Sequence, residues 1–197
     1  MGPLPFMPDD TEEREERGRV LLAIARESLA EAFGLHQASP HAEPWLAEPG
    51  ATFVTLMKDG ELRGCVGSLE PYRPLGEDVA FNARAAAFKD TRFEPLTRDE
   101  LPRIAIEVSQ LGPAVPLAVS SQAEAFARLR PGRDGVILDH RGARATFLPQ
   151  VWEQLPEPAS FLAHLKHKAG LRPDFWSPEI RLWTYEVTKW EEEPSHP

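Results

Sequence analysis

The only cysteine of the 197-residue chain lies in the segment Leu62-Arg63-Gly64-Cys65-Val66-Gly67-Ser68. Glycine weakens a strand interior unless a bulge, a second backbone or a ligand needs the space. The glycines around Cys65, with Arg63 two positions before it, therefore indicate an accessible thiol beside a positive charge. A neighbouring cation lowers the pKa of a thiol and increases its nucleophilic thiolate fraction. The alternative is a small apolar cysteine packed inside the sheet, which is a frequent fate of free cysteine.

Four further charged side chains each allow more than one role: Asp90, Arg92, Glu107 and Lys168. Arg92 is able to clamp a carboxylate or phosphate through its planar guanidinium, or it pairs with Asp90 or Glu107 and only fixes a turn. Glu107 is a candidate base because it points away from the apolar residues of its strand, although the solvated side of a strand fits it equally. Lys168 falls in the last turn of a predicted helix, where a cation is favourable for electrostatic reasons alone.

Charge and composition exclude several classes of function. The net charge is -9, but most of it comes from the acids in residues 1–17 and 191–193, so the segment between them offers no basic surface for nucleic acid. No apolar run reaches the roughly 18 residues of a membrane helix, and no secretory signal is visible. We therefore expect a cytoplasmic protein that binds neither nucleic acid nor membrane.

Metal and cofactor motifs are not found in the sequence. A single cysteine makes neither an internal disulfide nor a Cys-based zinc site. The chain contains no phosphate loop and no dinucleotide fingerprint. The sequence thus predicts no metal site and requires no cofactor, and it leaves the identity of any cofactor unknown.

The elements that position the candidate residues alternate between hairpins and helices. Apolar periodicity and capping residues predict helices from about residue 11 to Gly34, over 76–88, after Ser121 and over 158–169. Alternation and turn residues predict a hairpin over 52–68, a strand over 104–111, a hairpin over 136–148 and a strand over 181–190. This order predicts an α+β fold with a mainly antiparallel sheet flanked by helices. We expect all of these strands to form one sheet.

Five motifs in the same order resemble those of the AMMECR-type domain family, also called AmmeMemoRadiSam system protein A. The first, Leu62 to Gly67, is similar to the family's Leu-Arg-Gly-Cys-Ile-Gly, with Val66 in place of Ile. The others are Asp90-Thr91-Arg92-Phe93-Glu94-Pro95-Leu96, Glu107-Val108-Ser109, Leu148-Pro149-Gln150-Val151 and Lys168-Ala169-Gly170-Leu171. The resemblance spans residues 15–190, and several ordered motifs are far more specific than any single one.

The resemblance implies an α+β fold of two unequal lobes that form a cleft, with the motif residues gathered around it. We expect the domain to cover residues 11–190, between a flexible N-terminus (1–10) and an acidic flexible tail (191–197). The motif residues Arg63, Cys65, Asp90, Arg92, Glu107 and Lys168 are then expected to converge on one concave surface.

Two functions are open, because no reaction is attached to the family. In the first, the chain is a cysteine-dependent enzyme or enzyme subunit with Cys65 as nucleophile and Glu107 as base, and the ligand is bound by Arg63, Asp90, Arg92 and Lys168. In the second, it is a non-catalytic adapter or ligand-binding protein that uses the same cleft. The resemblance also implies Memo-like and radical S-adenosylmethionine proteins as pathway partners, and an unidentified small-molecule or protein substrate.

Overall fold

The computed structural model describes residues 11–35 and 41–192. The chain folds into two compact units of unequal size. The first unit takes residues 1–110 and 189–197, and the second takes residues 111–188. The larger unit thus combines two segments that are far apart in the sequence.

The described residues form four α-helices and ten strands, some of them only two residues long. The helices are α1 (Thr11–Ala32), α2 (Leu75–Phe88), α3 (Gln122–Arg128) and α4 (Pro158–Lys168). The strands are β1 (Pro49–Gly50), β2 (Thr52–Lys58), β3 (Glu61–Gly67), β4 (Arg73–Pro74), β5 (Ile104–Leu111), β6 (Val115–Pro116), β7 (Gly135–His140), β8 (Ala143–Phe147), β9 (Arg181–Tyr185) and β10 (Val187–Glu191). Short 3-10 helices cover Pro44–Ala47, Arg98–Arg103 and Pro149–Glu153.

The first unit is built around a four-stranded sheet in the order β10-β5-β2-β3. Strand β2 pairs antiparallel with both β3 and β5. Alternate residues of β2 and β5, such as Val54, Leu56, Ile106 and Val108, are buried in one core with residues of α1 and α2. The intervening residues of these strands therefore lie on the opposite face of the sheet.

The second unit has its own four-stranded sheet, in the order β6-β9-β7-β8. Its core contains Trp152 and Phe161, whose rings are stacked with centroids 3.7 Å apart. Leu138 of β7 and Leu182 of β9 are buried in the same cluster and are paired across the two strands. Within the ranges that the structure describes, no helix is both long and apolar enough to cross a bilayer.

The predicted α+β class with mainly antiparallel strands is confirmed, but the prediction of one continuous sheet is wrong. The predicted strand 181–190 is interrupted at Glu186, and its halves β9 and β10 belong to different sheets. The Glu186 carbonyl accepts a hydrogen bond from Gly112 N at 2.8 Å, and its side chain pairs with Arg130 and Arg133. Alternation along a strand shows which face is buried, and it carries no information about which sheet the strand joins.

The ends of the predicted domain fall partly outside the described residues. Residues 1–10 and 193–197 cannot be compared with the predicted flexible segments. Glu191 is the last residue of β10. The Glu192 carboxylate accepts hydrogen bonds from Arg26 Nε at 3.0 Å and from Ile106 N at 2.9 Å. The first two residues of the predicted tail are therefore part of the first unit.

Candidate functional site

Cys65 lies in β3, an edge strand of the first sheet, and its side chain is partly exposed. It is paired in register with Thr55 of β2, which stands between the buried residues Val54 and Leu56. Both side chains therefore face away from the core. The Thr55 hydroxyl donates a hydrogen bond to Cys65 Sγ at 3.3 Å.

Glu107 continues this row across the sheet, because it is paired in register with Thr55 from the other side. Two strand spacings of about 4.8 Å separate the backbones of Glu107 and Cys65, and Thr55 lies between them. The Glu107 carboxylate is engaged instead by Lys189, with 2.7 Å between Nζ and Oε2. Glu107 thus shares the face of the thiol but is held in an ion pair away from it.

The Asp90–Arg92 pair closes the free edge of β3 beside Cys65. Asp90 Oδ2 accepts a hydrogen bond from Cys65 N at 2.9 Å. Arg92 binds the same carboxylate through Nε at 2.9 Å and Nη2 at 2.7 Å, and Nη2 also lies 3.5 Å from the Cys65 carbonyl oxygen. An edge strand otherwise presents unpaired N–H and C=O groups. The two side chains therefore act here as a substitute for a neighbouring strand.

The charges of this pair are fixed over the neutral pH range. The hydrogen bond from Arg92 holds the pKa of Asp90 well below its usual range, and the N–H of Cys65 acts in the same direction. The hydrogen bond to Asp90 raises the pKa of Arg92, and the charge of Cys65 contributes to the same increase. Arg92 is therefore a permanent cation electrostatically coupled to Cys65, with 56% of its side chain exposed.

Arg63 differs from the expectation that it stands beside the thiol. The register of β3 against β2 shifts next to Arg63, so the regular alternation that would align it with Cys65 is broken. Its Nε and Nη2 donate to the Glu100 carboxylate, both at 3.0 Å, and its Nη1 donates to the Glu94 carbonyl at 2.9 Å. Together with Lys58, it holds the pKa of Glu100 well below the usual range. Arg63 fastens β3 to the segment that follows α2, and Arg92 is the cation at Cys65.

The glycines of the cysteine motif also have a different role from the one expected. A Cβ at Gly64 would lie 2.2 Å from the carbonyl oxygen of Ala86 in α2, on the core side of the strand. A Cβ at Gly67 would lie 2.2 Å from the ring of Phe53. The absent side chains therefore make room for a helix backbone and an aromatic ring. Neither contact involves the sulfur.

Lys168 belongs to the second unit and ends α4. Its Nζ donates to the Thr146 carbonyl at 3.0 Å and lies 5.1 Å from the centroid of the Phe147 ring. Gly170 follows with φ +81°, the conformation that glycine adopts at low cost past a helix end. These contacts fasten α4 to β8. A shared surface of Lys168 with Cys65 stays a prediction.

Sequence reasoning missed a buried polar cluster in the first unit. The carboxylate of Asp78 in α2, with 1% of its side chain exposed, accepts hydrogen bonds from Thr52 N and Oγ1 at 2.8 Å and from Ser68 Oγ at 2.6 Å. Asn82, one turn later, donates to Asp78 Oδ2 at 3.0 Å and to the Thr52 carbonyl at 3.0 Å. Two polar residues four positions apart on an apolar helix face are the pattern that could have revealed it. Sequence reasoning also missed Thr55, because its pairing with Cys65 is known only from the register of β2 against β3.

No group of three His, Cys, Asp or Glu side chains is placed to hold a metal ion in residues 11–35 and 41–192. The groups around Cys65 are one thiol, one hydroxyl and an ion pair.

A family model of the AMMECR1 domain matches residues 22–190. The chain belongs to the AMMECR1 family. A protein of Methanopyrus kandleri is 39% identical over 191 residues, which cover 90% of this chain and 89% of that protein. A protein of Methanothermobacter thermautotrophicus is 38% identical over 178 residues, which cover 87% of this chain and 92% of that protein. The crystal structure of an uncharacterized protein from Pyrococcus horikoshii matches with a TM-score of 0.77 and 31% identity, over 92% of this chain and 95% of that one.

The motifs of this AMMECR1 domain divide into two groups. The motifs at 62–67, 90–96 and 107–109 lie in the first unit, and each supplies a residue to the sheet face or edge at Cys65. The motifs at 148–151 and 168–171 lie in the second unit, where they begin a 3-10 helix and end α4. The candidate site that the structure supports is therefore the Cys65 face of the first unit.

Proposed function

We propose that this AMMECR1 domain is a cysteine-dependent enzyme or enzyme subunit of the cytoplasm, where a single free cysteine stays reduced. Cys65 is its nucleophile, and Arg92 recognises an anionic group of the substrate. The observation that carries the proposal is the environment of Cys65. A hydroxyl donor contacts the sulfur, and a fixed arginine contacts the peptide group of the same residue.

The orientation of Arg92 suits ligand binding. Asp90 occupies the Nε and Nη2 edge of the guanidinium, so this edge anchors the side chain to β3. The Nη1 side remains for a carboxylate or phosphate, which are the anions that arginine binds best. The substrate class that follows is a small molecule or protein segment with an electrophilic carbon next to a carboxylate or phosphate.

The chemistry that fits is attack by the Cys65 sulfur on that carbon: an S–C bond forms, the bond from the carbon to its leaving group breaks with the electron pair going to the leaving group, and the thiol proton goes to solvent. Thr55 donates to the sulfur, and Glu107 is held by Lys189, so no general base is paired with the thiol among the described residues. Glu107 then serves to hold β10 against the sheet rather than to move a proton at Cys65.

The alternative function is a non-catalytic adapter or ligand-binding protein, and one observation favours it. The charged motif residues of the first unit already have protein partners: Arg63 with Glu100, Asp90 with Arg92, and Glu107 with Lys189. Under either function we propose Memo-like and radical S-adenosylmethionine proteins of the AmmeMemoRadiSam system as partners, because the motifs resemble that system. Sedimentation of the purified proteins, alone and mixed, tests that partnership.

The site itself is tested with two alkylating reagents of the same size, iodoacetate and iodoacetamide. Cys65 is the only cysteine, so the extent of reaction reports it alone and Cys65→Ser is the blank. We expect the ratio of the iodoacetate rate to the iodoacetamide rate to be about threefold higher in native protein than in unfolded protein. This is the effect of one exposed charge a few ångströms away. Arg92→Gln removes the preference. Arg63→Gln, the matched control, retains it.

Two outcomes would contradict the proposal. A native protein that reacts with neither reagent until it unfolds makes Cys65 structural and favours the adapter. A charge preference that disappears in Arg63→Gln and persists in Arg92→Gln would show that Arg63, and not Arg92, is the cation beside Cys65.

A further inference from the structure

A pocket lies on the exposed face of α2. This pocket of about 480 Å³ is lined by Arg73, Glu77, Ala80, Phe81 and Arg84. This volume is within the range of about 300 to 1,000 Å³ that is typical of small-molecule pockets, and the pocket is open to solvent. Helix α2 packs against the core face of the sheet, whereas Cys65 lies on the other face. The pocket and the cysteine are therefore separate features of the first unit.

Arg73 is held in one orientation by two different contacts. Its Nε lies 3.5 Å from Oδ1 of Asp78, whose side chain is 1% exposed. Its guanidinium carbon lies 3.9 Å from the centroid of the Phe81 ring, which is a cation–π contact. The buried carboxylate is itself fixed by Thr52 and Ser68. The ion pair with Asp78 and the contact with Phe81 restrict the orientation of this guanidinium.

The lining of the pocket carries two positive charges and one negative charge. Arg84 lines it with Arg73 and forms an ion pair with Glu31 of α1, at 3.6 Å between Nη1 and Oε2. Lys89 lies 5.6 Å from the centroid of the Phe81 ring. Glu77 is the acid among the lining residues and opposes the binding of an anion.

We infer that this pocket binds the carboxylate or phosphate group of a small molecule. The planar fork of Arg73 makes the specific contact, because a guanidinium matches both oxyanions with two parallel hydrogen bonds. Arg84 adds a second positive charge. Phe81, whose side chain is 42% exposed, offers an apolar surface to the rest of the ligand.

The test is an NMR titration of the ¹⁵N-labelled protein, which follows the arginine Nε–H and backbone signals. Inorganic phosphate and acetate are added separately at millimolar concentrations, and sodium chloride at matched ionic strength serves as the control. We expect saturable shifts at Arg73, Phe81 and Arg84. Saturation by phosphate, by acetate or by both identifies the preferred group, and each of these three results supports the proposal.

Four variants separate recognition from general electrostatics. Arg73→Gln is expected to weaken binding at least about tenfold, the effect of a lost hydrogen bond to a charged group. Arg73→Lys keeps the charge without the fork and gives a smaller loss. Glu77→Gln removes the opposing charge and tightens binding about threefold. Arg98→Gln makes the same change of net charge at an exposed position that does not line the pocket, and it leaves binding unchanged.

The proposal is overturned if neither anion gives saturable shifts beyond those with chloride. It is also overturned if Arg73→Gln binds as wild type does, or if Arg98→Gln weakens binding as much as Arg73→Gln. Arg73→Gln is expected to fold, because Asp78 keeps its hydrogen bonds from Thr52, Ser68 and Asn82. The alkylation rate of Cys65 is measured in the same variants. An unchanged rate shows that a substitution affects only the pocket, and a changed rate shows that it also affects the cysteine site.

Discussion

Gly64→Ala tests the structural role of the glycine before Cys65. An added Cβ would meet the Ala86 carbonyl oxygen at 2.2 Å and its carbonyl carbon at 3.0 Å. Normal contacts between carbon and a carbonyl oxygen begin at about 3.3 Å, so β3 and α2 must separate by roughly 1 Å. Overpacking of a core typically costs about 1 to 3 kcal/mol. We expect the upper end of this range, because the obstacle is helix backbone and no side-chain rotation relieves it.

Gly76→Ala, in the same unit, is the matched control. Its Cβ would lie 3.5 Å from Leu46, an ordinary contact, and alanine in a helix gains about 0.5 to 1 kcal/mol over glycine. Urea unfolding followed by circular dichroism should therefore separate the two variants by about 3 to 4 kcal/mol. A Gly64→Ala protein that is as stable as wild type, with a slower reaction of Cys65, would refute the packing role. That result would mean that the glycine keeps the sulfur uncovered.

Two further predictions concern acid groups with lowered pKa. Asp90→Asn is expected to reduce the free energy of unfolding by about 1 to 3 kcal/mol at neutral pH, because Cys65 and Arg92 lose a charged acceptor. The pKa of Asp90 is lowered in the folded state, so its contribution is present above the unfolded value of about 3.9 and declines as the pH falls further. Urea unfolding of both proteins should show the difference narrowing below about pH 4, and a pH-independent difference would contradict this. Glu100→Gln, which deprives Arg63 of its carboxylate, should show the same sign of pH dependence in the same assay, and an unchanged acid transition would contradict that assignment.

Local patterns predicted the individual elements well. The strand expected over 104–111 is β5 with the same bounds, and the helix expected over 76–88 is α2 one residue longer. Turn residues and capping residues act over a few positions, so they are visible in the sequence. The assignment of strands to two sheets depends on contacts between distant segments. The residues around Glu186 carry no local signal that the chain passes from one sheet to the other there.

Some contacts of the candidate residues could be predicted from the sequence, and others could not. The sequence offered an ion pair with Asp90 as one role for Arg92, and the structure shows that pair. The expected contact between Arg63 and the thiol depended on regular alternation, which the bulge in β3 removes. Thr55 contacts Cys65, which is 10 positions away, and Glu100 binds Arg63, which is 37 positions away. Spacing along the chain does not show contacts between such distant residues.

The most direct test of the account is the rate at which iodoacetamide modifies Cys65 in the native protein, compared with the same protein unfolded in urea. Wild type and Thr55→Ser, which keeps the hydroxyl donor, are expected to react in the native state. Thr55→Val, which removes only the donor, is expected to react more slowly because the Cys65 sulfur loses the hydroxyl group that positions it. A thiol that stays unmodified until the protein unfolds, or equal native rates in Thr55→Ser and Thr55→Val, would contradict the assignment of Cys65 as the nucleophile of the site.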